Sequence, residues 1–481
     1  FFIRRRVSIC SKEIRFGGWI PGCSWGARRM FELAWIFMML EERHQLSSRS
    51  RCIGLKYLRT RGEFVEGEEY QLDTTAKIAT PCAVSSAPPR ILLLYRCYSS
   101  SFTAYPSILA GDGLMEVDVI APSRHVIRRS VWVGEHFAAN SDEAFLDVLC
   151  ERLKSGAYQA LFCIDQPSRE LVLANAQLPE LLDYLPFGSQ SELNRVAVDK
   201  GTFYHWCVRH SIPCPNSVYT QSASAVLGLA EEFEFPLVVK GAQGAGGIEV
   251  DIVRSQQELE DVLSTHSERE GWVLQEFIDG PVGTTTFVAR EGRRYAICSV
   301  VNRVCQRRGT GPSAICESIY DPRLVALADV MIRDGGVNGL TGFDWMLTTD
   351  GEYRVIDPHF GRAVPNAVAG HLSGVNLGHA VWASLVGQEP ALDCAVDEPS
   401  YTVWLFPQAL QLLFEPHFWK SFRTYSPFRA DVKLFLCGRR EWRLFFCQLA
   451  EHFWGRFRVL AGAFQRRMLG KRSGIRSEGR S

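Results

Sequence analysis

None of the 15 cysteines in this 481-residue chain belongs to a Cys-x-x-Cys pair. An odd number of scattered cysteines without metal-ligand spacing argues against a disulfide framework and against a zinc ribbon. It points to a reducing compartment, and a cytoplasmic location is expected. Long apolar runs are also missing; none reaches the roughly 20 residues that span a bilayer. Net charge is absent, with 53 Lys and Arg against 53 Asp and Glu. A neutral chain carries no overall electrostatic footprint for nucleic acid, so no nucleic-acid partner is expected. No Gly-x-Gly-x-x-Gly fingerprint is present, which disfavours a dinucleotide-dependent redox enzyme.

What is present belongs to a globular protein: 46% hydrophobic and 22% charged residues. The length asks for two to four folding units. Residues 1–88 form an N-terminal extension of uncertain structure. Their stretch RRMFELAWIFMML has basic residues before a short apolar core, but no small-residue cleavage site follows it. Ser85–Pro89 reads as the boundary linker.

Regular patterning begins at Arg90. Short apolar strands (RILLLYR, EVDVIAP, YQALFCIDQ) alternate with the amphipathic helix SDEAFLDVLCERLKSG, for which Ser141 is the expected N-cap and Gly156 the expected stop. Alternation of this kind predicts a parallel, Rossmann-like α/β unit over 89–190. From 191 to 385 the pattern changes to α+β. The run RVAVDKGTFYHWCVRHS predicts one helix, and FPLVVKG and GIEVDIVRS predict strands flanking a glycine-rich loop. Ser255 and Glu258 predict a capping box.

The hairpin GFDWMLTTDGEYRVIDPHFGR carries the chemistry. Asp350-Gly351 predicts a two-residue type I′ turn. That turn sets Thr349 opposite Glu352, Met346 opposite Val355 and Asp344 opposite Asp357. Carboxylates directly opposite across a sheet repel one another, and a divalent cation between them removes the repulsion. Mg²⁺ is held in this way, by one or two carboxylates together with substrate phosphates. His359 falls on the same face as Asp357. The alternative is a surface hairpin whose aspartates face water.

Four segments in this order resemble the ATP-grasp superfamily, in particular the carboxylate-amine ligases and the carbamoyl-phosphate-synthase type of domain. VAVDKGTFYHWCVRHSIPCPNSV is similar to the segment that opens the domain, FPLVVKGAQGAGGIEV to its phosphate strand and lid, WVLQEFIDG to its hinge, and FDWMLTTDGEYRVIDPHFGR to its metal hairpin. The resemblance implies a Rossmann-like pre-ATP-grasp domain, then a two-lobed ATP-grasp domain, then a basic C-terminal helical region. It implies ATP contacts at Lys200, Lys240, Gln243, Gly244, Gly246, Gly247, Gln275, Glu276, Phe277 and Ile278. It implies metal ligation at Asp344, Asp357 and His359, and a catalytic role for Arg362. The cofactors implied are ATP and Mg²⁺, with Mn²⁺ as a substitute, and the substrates are a small carboxylate and an amine. The lid differs from a Walker A loop, since no Gly-Lys-Ser/Thr closes it. Departures from the family pattern are Asp357 where glutamate is usual, His359 where asparagine is usual, and Arg362 one residue late. After the hinge, GPVGTTT stands where many members carry a glutamate for the ribose, and this departure together with His359 keeps a second reading open, a degenerate ATP-binding module that senses or scaffolds without ligation.

The neutral total hides an asymmetry. Residues 417–481 hold 15 Lys and Arg against four Asp and Glu. Trp442, Phe446, Leu449, Phe453, Phe457, Leu460 and Phe464 recur at steps of three and four, which predicts one apolar helical stripe. Such a stripe most often packs on its own protein. The second reading has this basic, aromatic helix lying on a membrane surface.

Overall fold

The computed structural model describes residues 87–451, except 99, 245–249, 267, 270, 306–312, 390–400, 415–417 and 437–439. All of these lie in one compact unit, Gly67–Ser481. The N-terminal extension and the glycines Gly246 and Gly247 lie outside the described residues.

The first sheet contains β1 (Arg90–Leu94), β2 (Glu116–Ala121), β3 (His136–Ala138) and β4 (Ala160–Cys163). Its order is β3-β2-β1-β4 and every pairing is parallel, as the alternation of strands and helices predicts. Helix Asp142–Lys154 starts at Ser141, whose side chain accepts the N–H of Ala144. It buries Phe145, Leu149 and Leu153 at steps of four against Leu92, Leu94 and Ile120.

The second sheet holds β5 (Ser217–Thr220), β6 (Leu237–Gly241), β7 (Val250–Val253) and β8 (Trp272–Glu276), antiparallel in the order β5-β8-β6-β7. Helix Gln256–Thr265 covers it through Leu259 and Leu263. The Ser255–Glu258 capping box forms one residue out of step. Ser255 Oγ accepts the N–H of Glu258, while the Glu258 carboxylate accepts that of Arg254.

The third sheet is the largest, with β9 (Val282–Arg290), β10 (Arg293–Cys305), β11 (Ser313–Ile319), β12 (Gly339–Leu347), β13 (Tyr353–Pro358), β14 (Thr402–Phe406) and β15 (Val432–Leu436). Its order is β13-β12-β9-β10-β11-β14-β15. Phe203, Trp206, Phe287, Phe343, Trp345 and Phe360 build the core between this sheet and the helix Lys200–Arg209. Two strands from beyond residue 385 complete the sheet. The expectation of a separate helical C-terminal region is corrected here, because β14 pairs with β11 and β15 pairs with β14.

Among the described residues no helix is long and apolar enough to cross a membrane. The described part of the C-terminal stripe is a helix over residues 442–451. Its buried face is Glu441, Leu444, Phe445, Gln448 and Leu449, whereas Phe446 is exposed. The face is rotated from the predicted one because two polar anchors set it. Glu441 accepts from Ser130 Oγ and from the N–H of Val131, and Gln448 donates to Thr103 Oγ1. Phe453, Phe457, Leu460 and Phe464 lie outside the described residues.

Glu441 carries a pH dependence. Burial raises its carboxyl from 4.5 to about 7, outweighing the hydrogen bonds from Ser130 and Val131. Between those values the folded protein keeps a proton that the unfolded chain has lost. Stability therefore falls as pH rises from about 4.5 to about 7. Glu441→Gln is expected to raise the melting temperature near pH 8 (about one unit above that window) while leaving it nearly unchanged near pH 5 (about half a unit inside its lower edge). An equal change at both pH values, read by calorimetry, would contradict this.

Candidate active site

The predicted single helix over 195–211 is two helices, Leu193–Val198 and Lys200–Arg209. Asp199 leaves helical geometry (φ −120°, ψ 115°), and its carboxylate caps the second helix through the N–H of Thr202. The break directs Lys200 to the end of β6. Its N–H donates to Ala242 O at 2.9 Å, and its Nζ donates to Gly244 O at 2.8 Å. Lys200 is thereby fixed at the base of the glycine-rich loop, where Gln243 is exposed. Gly244 has φ +108°, a conformation that L side chains rarely adopt.

Lys240 is the next-to-last residue of β6 and is buried. Its Nζ donates to the hydroxyl of Tyr204 at 3.1 Å, and that hydroxyl donates to Ile356 O at 2.9 Å. The chain of contacts joins the second sheet to the hairpin of the third. Burial brings the Lys240 ammonium from 10.5 down to about 8; Lys200 adds to this, while Asp357 and Asp344 oppose it. Two lysines from the loop side and two aspartates from the hairpin thus act on one locus.

The hairpin reaches the expected pairing by a different route. Asp344 does lie opposite Asp357, but Met346 faces Arg354 and Trp345 faces Val355. The turn is longer than predicted. Thr348 N donates to Glu352 O, Gly351 N donates to Thr348 O, and Gly351 has φ +86°. This is a three-residue loop closed by a left-handed glycine. A bulge at Ile356 then shifts the register by one and brings the aspartates back into opposition. A Cβ at Gly342 would come within 2.0 Å of Thr285 O, so only glycine lets β12 approach β9 this closely beside Asp344.

Asp344 is 26% exposed and accepts at Oδ1 from Thr284 Oγ1 at 2.7 Å, with His359 Nε2 at 2.9 Å from the same atom. Burial would raise its carboxyl, but His359, Thr284 and Arg362 outweigh burial and hold it below the usual range. His359 is buried, and its backbone fastens the hairpin: its N–H donates to Gly342 O, and its carbonyl accepts from Thr341 Oγ1. Among the described residues, no group of three or more His, Cys, Asp and Glu side chains forms a metal-sized cluster. The three-ligand set is therefore not assembled, and His359 engages Asp344 instead. An opposed pair of aspartates still fits Mg²⁺, which takes one or two protein carboxylates and completes its shell with phosphate and water.

The expected repulsion between the aspartates is answered by cations. Asp357 acts favourably on Lys240, Arg169 and Arg362, all buried. Arg362 follows the hairpin and donates from Nη1 to Ala363 O at 3.1 Å. Burial weakens its hold on its proton, while Asp357 and Asp344 strengthen it. A guanidinium stays charged under such conditions.

The predicted hinge residues are placed as follows. Gln275 is buried and donates to Ser217 Oγ at 2.9 Å. Glu276 accepts the N–H of Asn216 at 2.9 Å. Phe277 is half-buried and Ile278 is buried, and both begin the connection from β8 to β9. Sequence reasoning missed Tyr204, Thr284 and Arg169. Tyr204 lies four residues after Lys200 on one helix face, and Thr284 alternates within a run of three threonines, so each left a periodic signal. Arg169 left none, because only tertiary packing brings the first-sheet unit to the hairpin.

Residues 197–357 match the family model for an ATP-grasp domain. The large chain of carbamoyl phosphate synthase from Thermus thermophilus is 29% identical over 182 residues, covering 35% of this chain and 18% of the relative. The same protein from Deinococcus radiodurans is 24% identical over 193 residues, covering 37% of this chain and 19% of the relative. This chain thus spans less than a fifth of those relatives' length. Among solved structures, the biotin carboxylase domain of Hydrogenobacter thermophilus 2-oxoglutarate carboxylase has a TM-score of 0.52 at 13% identity, covering 65% of this chain and 73% of that one. Biotin carboxylase from Campylobacter jejuni has a TM-score of 0.52 at 15% identity, covering 65% and 74%. The family model, matched by a segment that contains both lysines and both hairpin aspartates, shows that residues 197–357 of this chain are an ATP-grasp domain.

Proposed function

We propose that the protein is an ATP- and Mg²⁺-dependent, ADP-forming ligase that activates a carboxylate as an acyl phosphate and couples it to an amine. The observation that carries this reading is the meeting of Lys200 and Lys240 with Asp344 and Asp357 at one locus. Phosphoryl transfer asks a protein chiefly for positioning and charge neutralisation, and this locus supplies both. Lys200 and Lys240 neutralise phosphate oxygens from the loop side. Tyr204 holds Lys240 in register with the hairpin. Thr284 and His359 orient the Asp344 carboxylate, and Asp344 and Asp357 are the residues that would hold Mg²⁺. When bound, the metal neutralises charge on the transferring phosphoryl group. Arg362, on which both aspartates act favourably, would stabilise the carboxylate and the acyl phosphate formed from it. The Hydrogenobacter structure is a complex with MgADP and bicarbonate, and the same nucleotide and metal are proposed here.

One observation favours the non-catalytic module instead. His359 occupies an Asp344 oxygen that a metal would use. ADP release across a panel of carboxylates and amines separates the two readings. The ligase reading expects ADP release that requires Mg²⁺ and is stimulated by a matched pair. Nucleotide binding with no stimulation by any pair would establish the module.

A further inference from the structure

Tyr204 stands one turn after Lys200 on the helix Lys200–Arg209, so the two side chains share a face of that helix. It is 4% exposed. Its hydroxyl accepts from Lys240 Nζ at 3.1 Å and donates to Ile356 O at 2.9 Å. Lys240 pairs with Val273 and Val238 pairs with Gln275, which puts Lys240 and Gln275 on one face of the second sheet. The Gln275 amide hydrogen-bonds the same hydroxyl. A hydroxyl has one donor and two acceptor lone pairs, and those of Tyr204 are taken by β6, β8 and β13. Burial raises the phenol well above its ordinary range, so it stays a protonated donor to Ile356 O at neutral pH.

The two strongest bonds reach different halves of the site. Lys240 belongs to the sheet beside the glycine-rich loop, and Ile356 is the bulge residue that returns Asp357 to opposition with Asp344. An ammonium has three N–H donors, and anchoring one of them aims the other two. The Lys240 Nζ also lies 5.7 Å from the centre of the Tyr204 ring, a contact that does not need the hydroxyl. We propose that Tyr204 is a positioning residue that couples the two halves: one hydroxyl aims Lys240 at the nucleotide phosphates and holds the Asp357 bulge in the register that metal binding needs. Phosphate affinity and metal affinity then depend on a single oxygen atom that need touch neither ligand. This inference deepens the proposed reading and rests on it for the nucleotide and the metal, but it is measured by binding and needs no turnover.

The test is a mutant cycle on the full chain, with the parent, Tyr204→Phe, Lys240→Met and the double variant. Calorimetry gives the affinity for a nonhydrolysable ATP analogue, first with a chelator and then with Mg²⁺. Phenylalanine keeps the ring and removes only the hydroxyl. Without metal, Tyr204→Phe should weaken the analogue about five- to tenfold, the net contribution of one hydrogen bond. In the Lys240→Met background the same change should cost less than about twofold, because the bond it removes is already gone. The factor by which Mg²⁺ tightens the analogue should fall at least about threefold in Tyr204→Phe, as for coupled neighbours. It should not fall in Lys240→Met, which keeps the bond to Ile356 O. Equal weakening by Tyr204→Phe in both backgrounds would mark a merely structural residue and overturn the proposal. Tyr204→Phe binding as tightly as the parent or more tightly, or keeping the parent's metal factor, would overturn it too. The expected cycle without ADP release from any carboxylate and amine would leave the coupling standing and sink the ligase reading. ADP release by Tyr204→Phe with the parent's kcat and KM for ATP would do the reverse.

Discussion

Lys240→Met is expected to lower affinity for a nonhydrolysable ATP analogue by about ten- to a hundredfold, the loss of one charged hydrogen bond to phosphate. Methionine keeps the bulk of the side chain, so the β6 backbone and its pairing with β8 should persist. The same variant should be more stable than the parent without ligand, because it no longer buries an ammonium group. A pH signature accompanies the loss. The folded Lys240 loses its proton near 8, below the unfolded value of 10.5. The unfolded chain therefore binds the additional proton between about 8 and 10.5, and parent stability should rise with pH across that window. The variant should lack this rise. Affinity of the parent for the analogue should fall as pH passes about 8, whereas the variant should be flat there. Unchanged affinity in Lys240→Met at neutral pH would refute the phosphate role.

Asp357→Asn is expected to destabilise the unliganded protein by about 1–3 kcal/mol, less than the roughly 3–5 kcal/mol for removing one partner of a fully buried ion pair, since Asp357 is only partly buried. The hairpin alone argues the opposite sign, because two opposed aspartates repel. Lys240, Arg169 and Arg362 reverse that sign, since Asp357 is their shared counter-charge. The stabilisation that Mg-ATP adds should also shrink, as ligand stabilisation follows the logarithm of concentration over dissociation constant. Thermal unfolding with and without Mg-ATP measures both effects. An unliganded variant as stable as the parent would refute the cation cluster. An unchanged ligand-induced shift would refute the metal role.

The elements of the site were legible where chemistry and spacing coincide within one segment. The glycines after Lys240 and the acid pair around Asp350-Gly351 declare a loop and a hairpin from local rules alone. The Asp344–Asp357 opposition was correctly expected, yet the turn is three residues long and the bulge at Ile356 compensates for it. Local propensity could not reveal the bulge, because it is held by tertiary hydrogen bonds. Val355 N–H donates to Pro213 O, and Ile356 O accepts from Tyr204. The break at Asp199 was hidden for a related reason. The apolar period continues through it, and the bond from Lys200 N–H to Ala242 O joins the Asp199 cap in giving the chain cause to leave the helix.

By itself the sequence determined most strand and helix types and the opposition of Asp344 and Asp357, since these depend on neighbours within a few positions. Tertiary structure alone decided that Arg169 joins the charges at the hairpin. Arg169 lies 188 residues before Asp357 in the numbering, yet the two interact because the first-sheet unit packs beside the hairpin. The C-terminal strands β14 and β15 likewise join the large sheet through pairings that no local pattern encodes. Electrostatic balance at a buried site sums over every element that reaches it, and that sum has no image in the spacing of residues along the chain.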